Sequence, residues 1–410
     1  MAVINPDRLL ADLRRLRTFG AEGAGVVRLA LSPIDVESRH WLAGRMSEAG
    51  LAASIDGVGT VFGRSRTPGP ALIIGSHSDT QPSGGWLDGA MGVIYGLEIA
   101  RAFADSKDKQ ELAIDVASWM DEEGTFSSYI GSRAFCGEAV DGVMAGARNR
   151  DGLFLGDALK RAGFAGRTLA RLEPGRHTAY LEPHIEQGGR LEAAGKRIGV
   201  VTSIVGIRDM RLTFTGQRNH AGTTPMAIRR DAGAALLAFA TRLNAEFRAL
   251  AGPETVWTIG RIELDPGSTS VVPGKAEMLL QFRDGEAACV NRLAECLRDL
   301  VAEADRAGPV RVQLADFDAP VQPVAMNAGL QAHIAEAAER LIPGGWMAMP
   351  SGAGHDAQII APHLPSAMLF VPSIGGLSHD FGEDTKEADI VLGCQVAADA
   401  AAAILRAARK

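Results

Sequence analysis

Cysteine is scarce in this chain, and its few thiols are far apart. Among 410 residues there are four cysteines, with no Cys-x-x-Cys pair and no dense framework: Cys136, Cys289, Cys296 and Cys394. This usage argues against a disulfide-stabilised scaffold and predicts buried thiols in a reducing cytoplasm. No cysteine has a setting that suggests a nucleophile.

Excess positive charge and long apolar runs are also missing. The formal net charge of −7 argues against a surface for nucleic acid or anionic membrane, which needs a basic patch. No apolar run approaches the ~18–20 residues of a membrane span. The first residues, Met1 to Pro6, lead into a charged amphipathic helix and lack a signal-peptide core. We therefore expect a soluble, cytoplasmic globular protein.

The length exceeds one ordinary hydrophobic core, so two domains are expected. The first half alternates helix and strand, which predicts an α/β fold with a mixed sheet. Its predicted elements are helices Asn5–Phe19, Asp35–Gly50 and Gly89–Ala104 and strands Ala52–Asp56, Thr60–Arg64, Ala71–Gly75 and Leu112–Trp119.

The pattern changes between residues 207 and 323. Its predicted order is βαββαβ, which is a complete ferredoxin-like unit: strand Ile207–Thr215, helix Ile228–Leu250, strands Val256–Leu264 and Lys275–Arg283, helix Ala287–Ala307 and strand Val310–Phe317. The earlier pattern then resumes with helix Met326–Leu341, strand Ala367–Val371 and helix Glu387–Arg409. We therefore predict a catalytic domain of residues 1–206 and 324–410 with an inserted domain of residues 207–323. Segment Asp318–Pro323 and the approach to Ile207 are the expected hinges.

Acidic residues and a histidine follow the buried strands of the first half. The segments are Gly75-Ser-His-Ser-Asp-Thr80, Leu87-Asp-Gly89 and Asp121-Glu-Glu-Gly124. Imidazole and carboxylate are ligands of a catalytic divalent metal, and zinc fits them best. One adjacent glutamate can bind metal while the other moves protons. The pattern predicts a metallohydrolase, although Glu122-Glu123 alone could be a solvated acidic strand end.

The nine histidines fall into two groups. His40, His177, His333 and His363 lie in predicted helices or plain loops and are expected to be structural. Five others lie in predicted strand-end loops rich in Gly, Ser and Asp: His77, His184, His220, His355 and His379. Together the five favour a site. Asp79 follows His77 by two positions, and its side chain could accept a hydrogen bond from the ring.

These motifs resemble those of the M20-type dinuclear metallohydrolases. The resemblance also rests on Glu182-Pro-His-Ile-Glu-Gln-Gly188, Asn219-His-Ala-Gly-Thr-Thr-Pro-Met226 and Gly376-Leu-Ser-His-Asp380. The His-Ile-Glu-Gln-Gly segment and Ser351-Gly-Ala-Gly-His-Asp-Ala357 are similar to the N-carbamoyl-L-amino-acid hydrolase and allantoate amidohydrolase (hydantoinase/carbamoylase) branch. The motifs occur in order and span nearly the whole chain.

The resemblance implies two divalent metal ions per subunit, with Zn²⁺ first and Mn²⁺, Co²⁺ or Ni²⁺ as alternatives. The implied ligands are His77, Asp88 as the bridge, Glu123, His184 and His379. Glu122 would be the general base, and Asp79 would orient His77. A bridged ion pair activates water and polarises the scissile carbonyl, and Glu122 then carries the proton to the leaving nitrogen.

The resemblance also implies a lid and dimerisation role for the inserted domain. In the family, the histidine that matches His220 reaches a neighbouring active site across a dimer and stabilises the oxyanion. The alternative for His220 is a loop histidine that holds the turn before the next helix, where Arg229 and Arg230 are left open. The implied substrate contacts are Gln187, Arg283, Asn219, Ser270, Gly352 and Gly354.

Three departures from the family pattern affect the substrate. Ser270 occupies a position where the family commonly has Asn, and Gln281 one where it commonly has Asp. The segment from Glu122 to Phe126 lacks an arginine that many relatives carry. Trp86 could narrow the pocket or could simply pack.

The sequence therefore predicts hydrolysis of a linear amide C–N bond. The predicted substrate is an N-carbamoyl amino acid or a related ureido acid, such as allantoate or N-carbamoyl-β-alanine. An aminoacylase or dipeptidase-like amidase is the second hypothesis, and a non-catalytic binding protein on a retired hydrolase fold is the third.

Overall fold

The computed structural model describes residues 2–106, 112–317 and 320–409. Residues 318 and 319 of the predicted hinge lie outside this range. The described α-helices, in chain order, are α1 (Pro6–Arg17), α2 (Pro33–Glu48), α3 (Ala90–Asp105), α4 (Ile130–Phe135), α5 (Asp141–Gly146), α6 (Leu155–Arg161), α7 (Arg190–Ala193), α8 (Ala232–Leu250), α9 (Ala287–Ala307), α10 (Ala328–Leu341), α11 (Asp356–Ile360) and α12 (Glu387–Ala407).

The described β-strands, in the same order, are β1 (Ala21–Glu22), β2 (Gly25–Val26), β3 (Ala52–Ile55), β4 (Val61–Arg64), β5 (Ala71–His77), β6 (Ala113–Trp119), β7 (His177–Ile185), β8 (Ile198–Ile204), β9 (Gly206–Thr215), β10 (Asn219–His220), β11 (Val256–Asp265), β12 (Val271–Val272), β13 (Lys275–Asp284), β14 (Arg311–Asp316), β15 (Val324–Ala325), β16 (Trp346–Ser351) and β17 (Ser366–Val371).

The chain forms two compact units. The first comprises Met1–Thr202, Met326–Met349 and Ala353–Lys410, and the second comprises Ser203–Ala325 with Pro350–Gly352. Both units mix helices with sheets, so the molecule has a mixed α/β fold.

The sheet of the first unit has parallel strands at its centre. Its order is β8-β17-β7-β5-β6-β4-β3, and β16 pairs with β8. Strands β17, β7, β5 and β6 are mutually parallel, whereas β8, β4 and β3 pair antiparallel with their neighbours. Every residue of β5 and β6 is buried, as a strand covered on both faces requires. The carboxyl ends of β5, β6 and β7 therefore lie side by side.

Two histidines lie in β7, a strand that the sequence did not predict. His184 lies inside β7, where it pairs with Phe370, and not in a loop. His177 begins the same strand, and its Nε2 lies 3.2 Å from the Asp115 carboxylate. His177 is therefore a buried structural histidine, as expected, but within a strand.

Helix α8 begins later than predicted. The predicted start at Ile228 is wrong, because Met226–Ile228 form a separate 3₁₀ turn and Arg229 is extended. The side chain of Asp231 accepts a hydrogen bond from the backbone N–H of Ala234, which caps a helix beginning at Ala232. Asn327 caps α10 in the same way, so that helix begins at Ala328 and not at Met326. Ser32 caps α2, so that helix begins at Pro33, two residues before the predicted start at Asp35.

The second unit contains a four-stranded antiparallel sheet in the order β11-β13-β9-β14. Its main elements follow one another as β9, α8, β11, β13, α9 and β14. Apolar side chains of α8 and α9 pack with those of the sheet in one core, which includes Phe214, Leu243, Phe282 and Leu297. The connection from β11 to β13 contains the short strand β12, which pairs with β10.

Helix α12 is apolar enough to resemble a membrane span. It has 21 residues, but 72% of its most apolar window is buried inside the protein. It packs against α10, α3 and β17 in the first unit. Its apolar residues are thus those of a core helix. The sequence expectation that the chain has no apolar run of nearly membrane-spanning length missed this helix.

Candidate metal centre

His77 stands at the carboxyl end of β5 with a fixed ring. Its Nδ1 lies 2.9 Å from the backbone oxygen of Asp79. Because a carbonyl only accepts, Nδ1 carries the hydrogen and the Nε2 lone pair is free for a ligand. Nε2 lies 3.6 Å from Glu122 Oε2 and 3.7 Å from Asp88 Oδ1. The prediction that the Asp79 side chain orients the ring is wrong, since its Oδ1 is 3.9 Å from Nδ1.

His184 is oriented in the same manner from β7. Its Nδ1 lies 2.9 Å from the carbonyl oxygen of Ile185, and its Nε2 accepts a hydrogen bond from the N–H of Gly89 at 3.2 Å. Nε2 also lies 3.1 Å from Asp88 Oδ1. That oxygen is buried and, among the described residues, has no hydrogen-bond donor. Ligand atoms that face one another in this way, without a donor between them, fit a cation.

The other carboxylate oxygen of Asp88 faces a second group. Asp88 Oδ2 lies 3.4 Å from Nε2 of His379, which in turn lies 3.8 Å from Glu123 Oε2. Ligand atoms of His77, Asp88 and His184 lie within 4.8 Å of one another, as do those of Asp88, Glu123 and His379. The structure thus brings together all five predicted ligands as two triads that share Asp88.

Glu122 and Glu123 diverge after β6. Glu122 points to His77, whereas Glu123 accepts a hydrogen bond from Gln81 Nε2 at 2.7 Å. Asp121 holds the turn that follows, because its carboxylate accepts from three backbone N–H groups at 2.6 to 2.9 Å. The adjacent glutamates therefore present their carboxylates to different histidines.

The centre concentrates negative charge away from water. Burial raises the pKa of Glu122 well above its usual value, and burial with the Asp88 carboxylate raises that of Glu123 to about 7. Burial opposes protonation of His77, but Glu122 and Asp88 raise its pKa well above the usual range. The hydrogen bond with Asp88 raises the pKa of His379 to about 9. Such a cluster binds protons tightly unless cations take their place, and divalent metal ions match that demand.

Gln187 lies against the shared carboxylate. Its Nε2 donates to Asp88 Oδ2 at 3.1 Å and lies 3.5 Å from His379 Nε2. Its backbone adopts the left-handed conformation with φ of 58°. The residue predicted to contact substrate is therefore placed at the centre itself.

Sequence reasoning missed several residues that hold the centre. Glu383 Oε1 accepts from the N–H groups of Asp88 and Leu87 at 3.1 and 3.4 Å. Arg28 donates to the carbonyl of Ser78 at 2.6 Å, and Arg39 Nη2 lies 3.6 Å from Asp79 Oδ1. These partners lie far apart in the sequence, so no local motif could have identified them.

His355 and Trp86 are both buried and lie outside the two triads. The ring of His355 meets that of His184 edge-on at 4.6 Å between centroids, but His355 belongs to neither triad. Burial and the neighbouring His184 hold the pKa of His355 well below its usual value. Trp86 is buried, and its Nε1 donates to Asp384 at 3.2 Å.

The predicted oxyanion group is the last residue of the short, exposed strand β10 in the second unit, and not a loop residue as the sequence predicted. His220 Nδ1 accepts hydrogen bonds from the N–H groups of Gly222 and Thr223 at 3.1 and 3.2 Å. The remaining hydrogen of a neutral ring therefore sits on Nε2, which makes that atom a donor. Asn219 accepts from the N–H of His220 at 2.9 Å. Arg229 braces the loop that follows by donating to the carbonyls of Thr224, at 3.0 Å, and of Ala221.

The remaining predicted substrate contacts occupy several places. Arg283, near the end of β13, donates to the carbonyl of Gly352 at 3.0 Å within the second unit. Ser270 Oγ lies 3.2 Å from Ser268 Oγ, and its carbonyl accepts from the N–H of Ala221. In the first unit, a Cβ at Gly354 would lie only 2.3 Å from the Tyr129 hydroxyl. Only glycine fits there without movement.

Comparison with known proteins agrees with this chemistry. Residues 73–403 match the model of peptidase family M20/M25/M40. The chain belongs to this family. The M20 match spans β5 to α12 and so includes every residue of both triads.

This M20 chain has curated relatives of similar length. It is 35% identical over 393 residues to the allantoate amidohydrolase of Escherichia coli (strain K12), covering 93% of this chain and 94% of that one. It is 32% identical over 403 residues to the N-carbamoyl-L-amino acid amidohydrolase of Geobacillus stearothermophilus, covering 96% and 97%. A crystal structure of a hydantoinase/carbamoylase family amidase from Burkholderia phymatum matches with a TM-score of 0.96 and 62% identity, and the match covers 100% of both chains.

Proposed function

We propose that this protein is a metal-dependent hydrolase that removes the carbamoyl group of an N-carbamoyl amino acid or a related ureido acid. The observation that carries the proposal is the pair of His/carboxylate triads that share Asp88, with Glu122 beside them. The similarity to amidohydrolases of allantoate and of N-carbamoyl-L-amino acids supports a ureido substrate.

Two divalent ions per subunit would be held by the two triads. His77 and His184 would bind one ion, His379 and Glu123 the other, and Asp88 both. Three imidazoles with carboxylates favour Zn²⁺, and Mn²⁺, Co²⁺ or Ni²⁺ also accept this donor set. When bound, such a pair activates water at neutral pH and polarises the carbonyl under attack.

Glu122 is the proposed proton carrier. Its carboxylate is buried, and its Oε2 faces His77 Nε2. It would accept the proton of the attacking water and pass it to the leaving nitrogen, which cannot depart as an anion. Asp79 would act on the histidine through its backbone carbonyl, while its carboxylate accepts from the N–H of Glu123 at 3.3 Å.

The second unit would supply the remaining substrate groups. His220, with Nε2 as donor, would stabilise the oxyanion, and Arg283 would bind the substrate carboxylate through its planar fork. Asn219, Ser270 and the Gly352 and Gly354 loop would complete the contacts, with Gln187 at the ureido group.

We further propose that this unit is a ferredoxin-like lid that moves about residues 320–323 and the approach to Ile207, and that it forms a homodimer. Strand β11 lies at the edge of its sheet and exposes Val256, Ile262 and Leu264. Exposed apolar side chains on an edge strand favour pairing with another chain. Light scattering should give a dimer mass for the wild type and a monomer mass for Ile262→Lys. An unchanged mass would exclude this strand.

The test of the reaction is ammonia release by protein stripped of metal and reloaded with Zn²⁺, Mn²⁺ or Co²⁺. The panel contains N-carbamoyl amino acids, allantoate and N-carbamoyl-β-alanine, with N-acetyl amino acids as matched compounds that lack the ureido nitrogen. We expect turnover of a ureido compound only after reloading. Turnover of the N-acetyl compounds alone would identify an aminoacylase and refute the ureido assignment.

A further inference from the structure

The face of the four-stranded sheet that lies opposite its helices carries a polar relay. Along β13, alternate residues are buried. Gln281 and Arg283 therefore lie on one face of the strand, and the buried Leu280 and Phe282 lie on the other. On β9, Asp209 is the residue directly opposite Gln281. A cavity of about 350 Å³ lies over this face and is lined by Asp209, Gln281, Thr258, Arg261 and Phe317 among others.

The Gln281 amide has one orientation in this relay. Its Nε2 donates to Asp209 Oδ1 at 2.7 Å, and its Oε1 accepts from Arg283 Nε at 2.8 Å. A carboxylate only accepts and a guanidinium only donates, so neither contact survives a flip of the amide. Asp209 therefore fixes the amide, and the amide fixes the guanidinium.

Within the part of the chain that the structure describes, the two hydrogen-bond acceptors of Arg283 are uncharged. They are the amide oxygen of Gln281 and the carbonyl oxygen of Gly352, which Nη1 reaches at 3.0 Å. A glutamate at position 281 would give the same guanidinium an anionic partner and would place a second carboxylate beside Asp209. The neutral amide thus orients the arginine without neutralising its charge.

We propose that Gln281 is a positioning residue that sets substrate preference: it holds Arg283 as an oriented, uncompensated cation for a carboxylate on the substrate. Asp209 acts through Gln281. The inference rests on the proposed function, because it assigns Arg283 to an anionic end of the ureido substrate. A guanidinium already paired with a carboxylate binds a second carboxylate less well, whereas an uncharged ligand is little affected.

The test compares an N-carbamoyl amino acid with its uncharged C-terminal amide. For Gln281→Glu, we expect KM for the acid to rise about tenfold, the loss of one charge-assisted contact. KM for the amide should stay within about twofold, and kcat for both should be unchanged. Gln281→Met and Asp209→Leu remove the orientation but add no charge, so both should raise KM for the acid by a smaller factor. These two variants still test the inference if the Gln281→Glu protein does not fold.

Glu277→Gln is the matched control. Glu277 lies on the same face of β13 and accepts from Arg261 at 2.7 Å, so its variant also changes the charge of a side chain on that strand and removes an ion pair. It should leave the ratio of the two KM values unchanged. Equal changes for acid and amide in the three relay variants, or no change for either, would overturn the inference.

Binding separates this inference from the proposed function. Calorimetry with the free amino acid and its amide requires no turnover. If the metal-loaded wild type hydrolyses no ureido compound, the proposed function fails, and the same acid-to-amide ratio, measured as Kd, still decides the role of Gln281. If hydrolysis occurs and the ratio does not respond to Gln281→Glu, only the relay fails.

Discussion

Replacement of Arg39 by methionine should destabilise the first unit strongly. The guanidinium donates to Asp35 at 2.8 Å and to the carbonyl of Gly59 at 3.1 Å, and it lies 3.6 Å from Asp79. All three charged side chains are completely buried. Removing one partner of a buried ion pair leaves an uncompensated charge and costs about 3–5 kcal/mol. This is a large part of the ~5–15 kcal/mol that stabilises a typical domain.

The assay is urea unfolding of Arg39→Met beside Lys160→Met. Lys160 pairs with Asp157 at 3.0 Å, but both side chains are more than half exposed, so its loss should cost less than about 1 kcal/mol. The double variant Arg39→Met/Asp35→Leu removes one of the two carboxylates as well and should recover part of the loss.

The stability difference between the wild type and Arg39→Met should depend on pH, and the pKa of Asp35 gives the direction of that dependence. Burial raises the pKa of Asp35, and the Arg39 guanidinium opposes that rise. Without Arg39 the folded pKa of this carboxyl rises further above its unfolded value, so folding of the variant is favoured as the pH falls. The stability gap between wild type and variant should therefore be smaller at pH 5 than at pH 8. A loss no larger than that of Lys160→Met, or a gap independent of pH, would refute the reasoning.

Three further outcomes follow from the structure. Glu122→Gln should lower kcat by about 10²–10⁴ while the bound metal, measured by mass spectrometry, stays constant; activity near the wild-type level would exclude Glu122 as proton carrier. Gly89→Ala should lose metal, because its Cβ would lie 2.4 Å from His77 Nε2. The control is Gly23→Ala, which should keep it, because Gly23 has a similar φ (56° against 61°) and no atom within 4 Å of its Cβ position. Burial raises the pKa of Asp56 to about 6. Only the wild type must therefore ionise a buried acid as the pH rises, so the stability of Asp56→Asn relative to wild type should increase by roughly 1.5 kcal/mol between pH 5 and 7.5. A flat difference in urea unfolding would contradict that assignment.

Local patterns predicted the strands and helices whose burial is simple. Strands β5 and β6 are covered on both faces, and their continuous apolar runs showed this directly. Strand β7 is buried as well, but it carries His177, Glu182 and His184, so its sequence reads as polar. Distant partners satisfy two of these groups: Ser76 donates to Glu182 at 2.7 Å, and the Asp115 carboxylate lies 3.2 Å from His177 Nε2. A sequence window does not contain these partners.

The same distinction explains which parts of the candidate site could be predicted. The triad residues lie in short motifs and were found by residue type and resemblance. The residues that hold those motifs lie elsewhere: Arg39 is 40 positions from Asp79, and Glu383 is 295 from Asp88. Their roles depend on the folded chain. The orientation of His77 by a backbone carbonyl was likewise beyond sequence reasoning, because the neighbouring Asp79 side chain was the more obvious acceptor.

The position of β17 has a consequence for biosynthesis. This strand lies between β7 and β8, and its Ser366 pairs with Tyr180, which is 186 positions earlier. At typical translation speeds of about 5–20 residues per second, β7 waits roughly 10–40 s on the ribosome before its neighbour is made. During this interval the four-stranded sheet of the second unit is complete in the nascent chain. The half-finished sheet meanwhile exposes the unpaired backbone N–H and C=O groups of β7, and an open strand edge of this kind pairs readily with other chains unless a chaperone covers it.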